Sequence, residues 1–199
     1  MLAVRGLGLE RGGRALLAGL DLDISSGQMV LIEGPNGSGK TTLLRSLAGL
    51  SRLGLSGRID AQCDELLYLG HRAGIKQLLT PRENLAWACH SQGWNPAHID
   101  SALERVGLSG RADLFCQHLS AGQQRRVNLA RLYLSFDAQR ERSLWLLDEP
   151  FTAIDRGGVA ELANTMAQQV RRGGSVVLTS HQDLPLDIPL RRVVLGGAQ

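Results

Sequence analysis

Lysine is almost missing from this chain: of its 22 cationic residues only Lys40 and Lys76 are lysines, and the remainder are arginines. Those arginines form no block. Arg125-Arg126, Arg171-Arg172 and Arg191-Arg192 are short pairs, which excludes the long basic arm of a nucleic-acid binder and reads as solvated faces or contacts with acidic lipid. No nucleic-acid partner is expected. Long apolar runs are lacking too; no stretch approaches the roughly 18 residues that a membrane-crossing helix needs. The opening residues, MLAVRGLGLERGG, have no apolar core of the secretory kind. A cytosolic chain is expected, one that reaches any membrane through another protein. Only three cysteines occur, Cys63, Cys89 and Cys116, far apart and without a CxxC spacing. A disulfide framework, a zinc site and covalent haem attachment are therefore not indicated, and reduced, partly buried thiols are expected. There is no internal repeat, low-complexity tract or proline-rich linker. With 199 residues, 43% hydrophobic and 21% charged, the chain has the size and composition of one globular domain with its own core.

Against that background a lysine at position 40 needs a reason, and its surroundings supply one. Leu20 to Ile24 alternate apolar and acidic residues, as a half-buried strand does. Met29-Val30-Leu31-Ile32 is a continuous apolar run of the kind found in a buried parallel strand. It runs into Gly34-Pro35-Asn36-Gly37-Ser38-Gly39-Lys40-Thr41-Thr42, and a helical stretch with Leu43, Leu44, Leu47 and Leu50 follows. Strand, glycine-rich loop and helix in that order are the context of a P-loop. Glycines let backbone N–H groups curl around phosphate oxygens where a Cβ would clash. Lys40 supplies a point charge for the β- and γ-phosphates, the Thr41 hydroxyl can ligate Mg²⁺, and the helix N-terminus adds partial positive charge. ATP and Mg²⁺ are the expected ligands.

A P-loop alone leaves kinases, GTPases and motor ATPases open. The second half of the chain narrows them. Ser143 to Glu149, SLWLLDE, is another apolar strand and ends in two carboxylates. In a P-loop fold the acid at the strand end holds the Mg²⁺ shell, which gives Asp148 that role. Glu149, one residue on, is expected to point to the other side of the chain and to polarise the attacking water. Leu119-Ser120-Ala121-Gly122-Gln123 opens a helix, with Ser120 as N-cap and Gln123 completing a capping box. Asp155 to Arg172 reads as an amphipathic helix stopped by Gly173-Gly174, and Val176 to Thr179 as the next buried strand.

LSAGQ resembles the LSGGQ signature of ABC ATPases, with Ala121 in place of one glycine. PFTAID from Pro150 resembles the family's D-loop, and VLTSH, ending in His181, its switch-histidine strand. Five segments in the family's order cover most of the chain. The resemblance implies an α/β fold: a P-loop NTPase of the ABC type with a RecA-like core, a small antiparallel β-subdomain and a helical subdomain of about residues 72–136, all within one domain, 1–199. It also implies that Ser120, Gly122 and Gln123 contact the ATP of an opposite subunit, that His181 touches the γ-phosphate, and that a second ATP-binding subunit is an obligatory partner.

Two departures refine the branch. Where many ABC ATPases stack an aromatic ring on adenine, this sequence has Arg11, and where the Q-loop glutamine is usual it has His71. His71 is either an inert surface imidazole or the contact to Mg²⁺ and water that glutamine normally makes. The short interval from Lys40 to His71 implies a trimmed β-subdomain. GHRAGIK, LTPRENL, LSAGQQRRVNLARL and LWLLDEPFTAID resemble the ATP-binding subunit of the bacterial cytochrome c maturation (haem-handling) ABC transporter. That branch implies a peripheral ATPase on the cytoplasmic face of the inner membrane, with separate transmembrane subunits and haem-handling cytochrome c maturation proteins as partners. His71 to Trp94 would form the docking surface, with Leu78, Leu79, Leu85, Trp87 and Trp94 as its apolar groups; Trp87 and Trp94 alternatively pack the subdomain core.

Overall fold

A computed structural model describes residues 1–72, 74–152, 154–181 and 188–196, with the side chains of Arg11 and Arg14 outside that description. The chain divides into two compact units. The first comprises Met1–His71, Glu141–Pro150 and the residues from Met166 onward; the second comprises Arg72–Arg140 and Phe151–Thr165. Among the described residues no helix is long and apolar enough to cross a membrane.

The first unit holds two sheets. Strands β1 (Leu2–Arg11), β2 (Arg14–Ile24) and β4 (Leu55–Ala61) form an antiparallel sheet in the order β2-β1-β4. Val4 faces Leu22 and Leu2 faces Ile24 across the β1–β2 ladder, and all four are buried, so the period-two pattern read at residues 20–24 seats one face of the sheet in the core. Five parallel strands make the second sheet, in the order β5-β6-β7-β3-β8: β5 (Glu65–Leu69), β6 (Ser143–Asp148), β7 (Ser175–Thr179), β3 (Met29–Glu33) and β8 (Leu190–Val194). Every residue of β6 and β7 is buried, which is why both read as unbroken apolar runs rather than as alternation. Because the five strands run the same way, their C-terminal ends share one edge. That edge receives the loop after β3, His71 just beyond β5, Asp148 at the end of β6, and Thr179 at the end of β7.

Helix α1 (Lys40–Leu47) buries Leu43, Leu44 and Leu47 against this core. It stops three residues before Leu50, which the sequence places in the helix. Gly49 takes a left-handed φ of 71° and leaves Leu50 57% exposed.

In the second unit, α2 (Pro81–Gln92) begins with a capping box: Glu83 N–H donates to Thr80 Oγ1 (3.1 Å) and Thr80 N–H donates to Glu83 Oε2 (2.8 Å). Leu85, Ala88 and Cys89 then fall on one buried stripe at helical spacing. Helix α3 (Ile99–Arg105) and helix α4 (Ala121–Asp137) complete the bundle with the first half of α5 (Arg156–Arg171). Arg105 ties three of these helices. Its guanidinium lies 4.1 Å from the Tyr133 ring centroid, donates to Glu161 Oε1 at 2.9 Å and donates to Thr165 Oγ1 at 3.3 Å. Burial, aided by Glu161, pushes the Tyr133 phenol up to about 12, so it stays protonated.

The apolar groups expected on one docking surface separate. Leu85 is fully buried and Trp94 is 4% exposed, so both belong to the core of this unit. Leu78 and Trp87 are exposed, with the Lys76 ammonium 4.7 Å from the Trp87 ring centroid. Trp94→Ala is therefore expected to cost about 3–5 kcal/mol of stability. Trp87→Ala should cost under about 1 kcal/mol. Denaturant midpoints of the two variants check this; equal shifts would contradict the division. The cysteines are free as expected, and burial pushes all three thiols up.

Candidate active site

The loop after β3 is shaped by what its glycines avoid. Gly34 has φ +147°, and a Cβ there would lie 2.5 Å from the Leu195 carbonyl oxygen and 2.7 Å from Ser38 Oγ. Only glycine fits. Gly39, at φ +95°, caps α1 without any side-chain hydrogen bond, and the first turn of α1 holds no acidic residue. The first amides of the helix are thus left for an outside acceptor, which is the electrostatic setting of an anion site. Lys40 opens this helix, and its Nζ donates to the carbonyl oxygens of Gly34 (2.6 Å) and Pro35 (3.1 Å). Ser38 Oγ is buried without a hydrogen-bond partner among the described residues. Free helix amides, an unpartnered hydroxyl and a cation resting only on loop carbonyls fit a phosphate chain.

A second set of groups meets them from β6 and β7. Thr41 Oγ1 donates to Asp148 Oδ2 at 2.8 Å, and Thr179 Oγ1 donates to Asp148 Oδ1 at 2.9 Å. A hydroxyl beside a carboxylate is a hard-oxygen pair suited to Mg²⁺. Glu149 stands where the strand has already ended. Its φ of +53° is left-handed for a non-glycine residue, a conformation that costs on the order of 1–3 kcal/mol. Simple pleating would send Glu149 away from Asp148; the left-handed turn instead brings both carboxylates to one cavity. The Glu149 amide donates to Thr179 Oγ1 (2.9 Å), and Glu149 Oε1 lies 3.5 Å from His181 Nε2.

These groups line a cavity of about 430 Å³. Asn36, Gly37, Gly39, Lys40, Thr41 and Thr42 come from the loop and α1; His71, Asp148, Glu149 and His181 come from the strand ends. Lys40 is the one lysine or arginine among the described lining residues. Among the described lining residues Leu16 is the one aliphatic side chain, and apart from the two imidazoles there is no aromatic ring. The Arg11 side chain, expected near the base, lies outside the described residues, as does Ala153 of the D-loop segment.

Ser120, Gly122 and Gln123 do not line this cavity; they belong to the second unit. There Ser120 caps the 17-residue α4. The Gln123 amide donates to Ser120 Oγ at 3.3 Å, and the Ser120 amide donates to Gln123 Oε1 at 2.9 Å. Accepting the cap bond leaves the Ser120 hydroxyl proton available to an external acceptor, and Ser120 is exposed. The residue missed from the sequence is Thr179, read there only as a buried strand position.

A family model described as ABC transporter matches residues 17–152. The cytochrome c biogenesis ATP-binding export protein CcmA of Hahella chejuensis is 45% identical over 208 residues, spanning 99% of this chain and 96% of its own length. The protein of that name from Pseudomonas fluorescens is 51% identical over 191 residues, 89% of this chain and 87% of its own. That from Vibrio cholerae is 45% identical over 209 residues, 98% and 99% respectively. The chain belongs to the ABC transporter family, in its cytochrome c biogenesis ATP-binding export branch. Its fold is the ABC nucleotide-binding fold. A solved ATP-binding subunit of an ABC transporter superposes with TM-score 0.76 at 23% identity, over 91% of this chain and 79% of that one. A dimeric ATP-binding cassette in a post-hydrolysis state, bound to ADP and Pi, superposes with TM-score 0.75 at 21% identity, over 92% and 88%. As an ABC subunit the chain is an ATPase.

Proposed function

We propose that two copies of this chain face each other as the ATP-hydrolysing engine of an inner-membrane transporter serving cytochrome c biogenesis, with haem export or haem-chaperone release as the coupled step. The observation that carries the reading is the cavity itself: one cation, one hydroxyl–carboxylate pair and one turned-out carboxylate converge at the ends of parallel strands. Lys40 would leave its loop carbonyls for the β- and γ-phosphates, joined by the free amides at the start of α1. Thr41 and Asp148 would hold Mg²⁺, which when bound neutralises charge on the phosphate oxygens. Glu149 would take the proton of the attacking water, His181 would contact the γ-phosphate, and His71 would stand at the water-facing side. The Ser120 end of α4, with Gly122 and Gln123, would close the site of the opposite copy. ATP then holds the dimer together and hydrolysis releases it, a two-state motion passed to separate membrane subunits. The chain would sit peripherally on the cytoplasmic face. The exposed Leu78 and Trp87 offer apolar contact there, and the CcmA relatives supply the cytochrome c assignment.

Complementation tests the composite site. A Ser120→Arg chain and a Lys40→Ala chain should each be inactive alone. Mixed, they should form one intact site per heterodimer and recover turnover. Cysteines placed in the P-loop and at the start of α4 should crosslink between chains only with nucleotide. Full activity in a monomer at all dilutions would exclude the facing dimer. Holocytochrome c yield in cells depleted of the native protein tests the pathway: Lys40→Ala should abolish complementation, and normal yield with that variant would remove the cytochrome assignment.

A further inference from the structure

We infer that Thr179 is a positioning residue for ATP hydrolysis, a buried hydroxyl that sets the two site carboxylates relative to each other. The inference rests on the reading of Asp148 as the Mg²⁺ carboxylate and Glu149 as the base, and adds a residue to it. Thr179 is fully buried at the end of β7, directly across the ladder from Asp148 on one side and from Ile32 on the other. Its hydroxyl is used in both directions: it donates to Asp148 Oδ1 (2.9 Å) and accepts from the Glu149 amide (2.9 Å). The first bond is charge-assisted and leaves Oδ2 to face Thr41. The second anchors the backbone of the one described non-glycine residue at this edge held at a left-handed, unfavourable φ, +53°. A conformation of that kind persists only where its surroundings over-determine it, and the Thr179 bond is one such constraint. Two residues on lies His181, whose Nε2 is 3.5 Å from Glu149 Oε1. The end of β7 therefore anchors the Glu149 amide through Thr179, and His181, two residues on, stands beside its carboxylate.

Valine at position 179 would keep the branched shape and the buried strand while deleting the hydroxyl. Asp148 Oδ1 loses this donor and the Glu149 amide loses this acceptor. Losing one charge-assisted and one neutral hydrogen bond from a preorganised site should lower kcat by about 10–100-fold. The KM for ATP should stay within about threefold, since neither residue hydrogen-bonded to the Thr179 hydroxyl belongs to the phosphate loop. Mg²⁺ for half-maximal rate should rise, and Thr179→Ser, which keeps the hydroxyl, should recover most of the rate. Steady-state ATPase assays on the assembled transporter, run beside Glu149→Gln, read all of this. Should the valine variant fail to accumulate, Thr179→Cys replaces it, having similar bulk and a far weaker donor and acceptor. A normal kcat in Thr179→Val beside a collapsed Glu149→Gln overturns the inference and leaves the base assignment standing. A loss that serine does not recover, or that comes with a matching rise in KM, overturns it as mere structural damage. Near-wild-type turnover in Glu149→Gln removes the base assignment itself and the inference with it.

Discussion

Glu149→Gln is expected to bind ATP normally and to lose roughly 10²–10⁴-fold in hydrolysis, the range for a lost general base. The amide is close to isosteric with the carboxylate but cannot take a proton from water. Asp148 is poorly placed to act as a substitute base. Asp148, the other lining carboxylate, already accepts hydrogen bonds on both oxygens, from Thr41 and from Thr179. The left-handed turn at 149 depends on backbone, so glutamine should inherit it, with the amide still donating to Thr179. Removing a negative charge beside the triphosphate should also favour the ATP-bound dimer, which is expected to accumulate as a stable species. Single-turnover hydrolysis, with size-exclusion chromatography in ATP and Mg²⁺, measures both effects. Multiple turnovers at a near-native rate would show that another group activates the water.

Lys40→Ala should instead remove nucleotide binding, by about 100-fold or more in Kd. Among the described lining residues its ammonium is the one lysine or arginine charge, set against two carboxylates, and each charge-assisted bond to phosphate is worth about 1.5–3 kcal/mol. Folding should be nearly untouched, because among the described residues the Nζ donates only to carbonyl oxygens of its own loop. Calorimetric titration with ATP, paired with a denaturant midpoint, separates the two. Retained affinity would mean that the loop amides alone hold the phosphates. A large fall in stability would mean that Lys40 is a structural part of the loop.

The parts legible in the sequence are those closed by neighbours along the chain. Gly34 to Thr42 reads as a phosphate loop because strand, loop and helix are contiguous, although the space that demands glycine at 34 is closed partly by Leu195, far along the chain. Ser120 and Gln123 form their capping box across three residues, so composition alone exposes it. Asp148 is legible as the polar end of an apolar strand. Tertiary structure decided the rest. Period-two alternation sends Glu149 away from Asp148, and only the backbone turn at φ +53° brings both into one cavity. Leu85 and Trp94 could not be told from Leu78 and Trp87 until helix packing buried one pair and left the other exposed. Thr179 looked like any buried strand residue, because its role comes from lying opposite Asp148, 31 positions away in sequence, in a parallel ladder. The physical reason is shared, since the turn at Glu149 is itself bonded to Thr179, 30 positions away. Hydrogen bonds spanning a few residues are set by the local chain, whereas strand register and helix packing pair residues that the sequence keeps far apart.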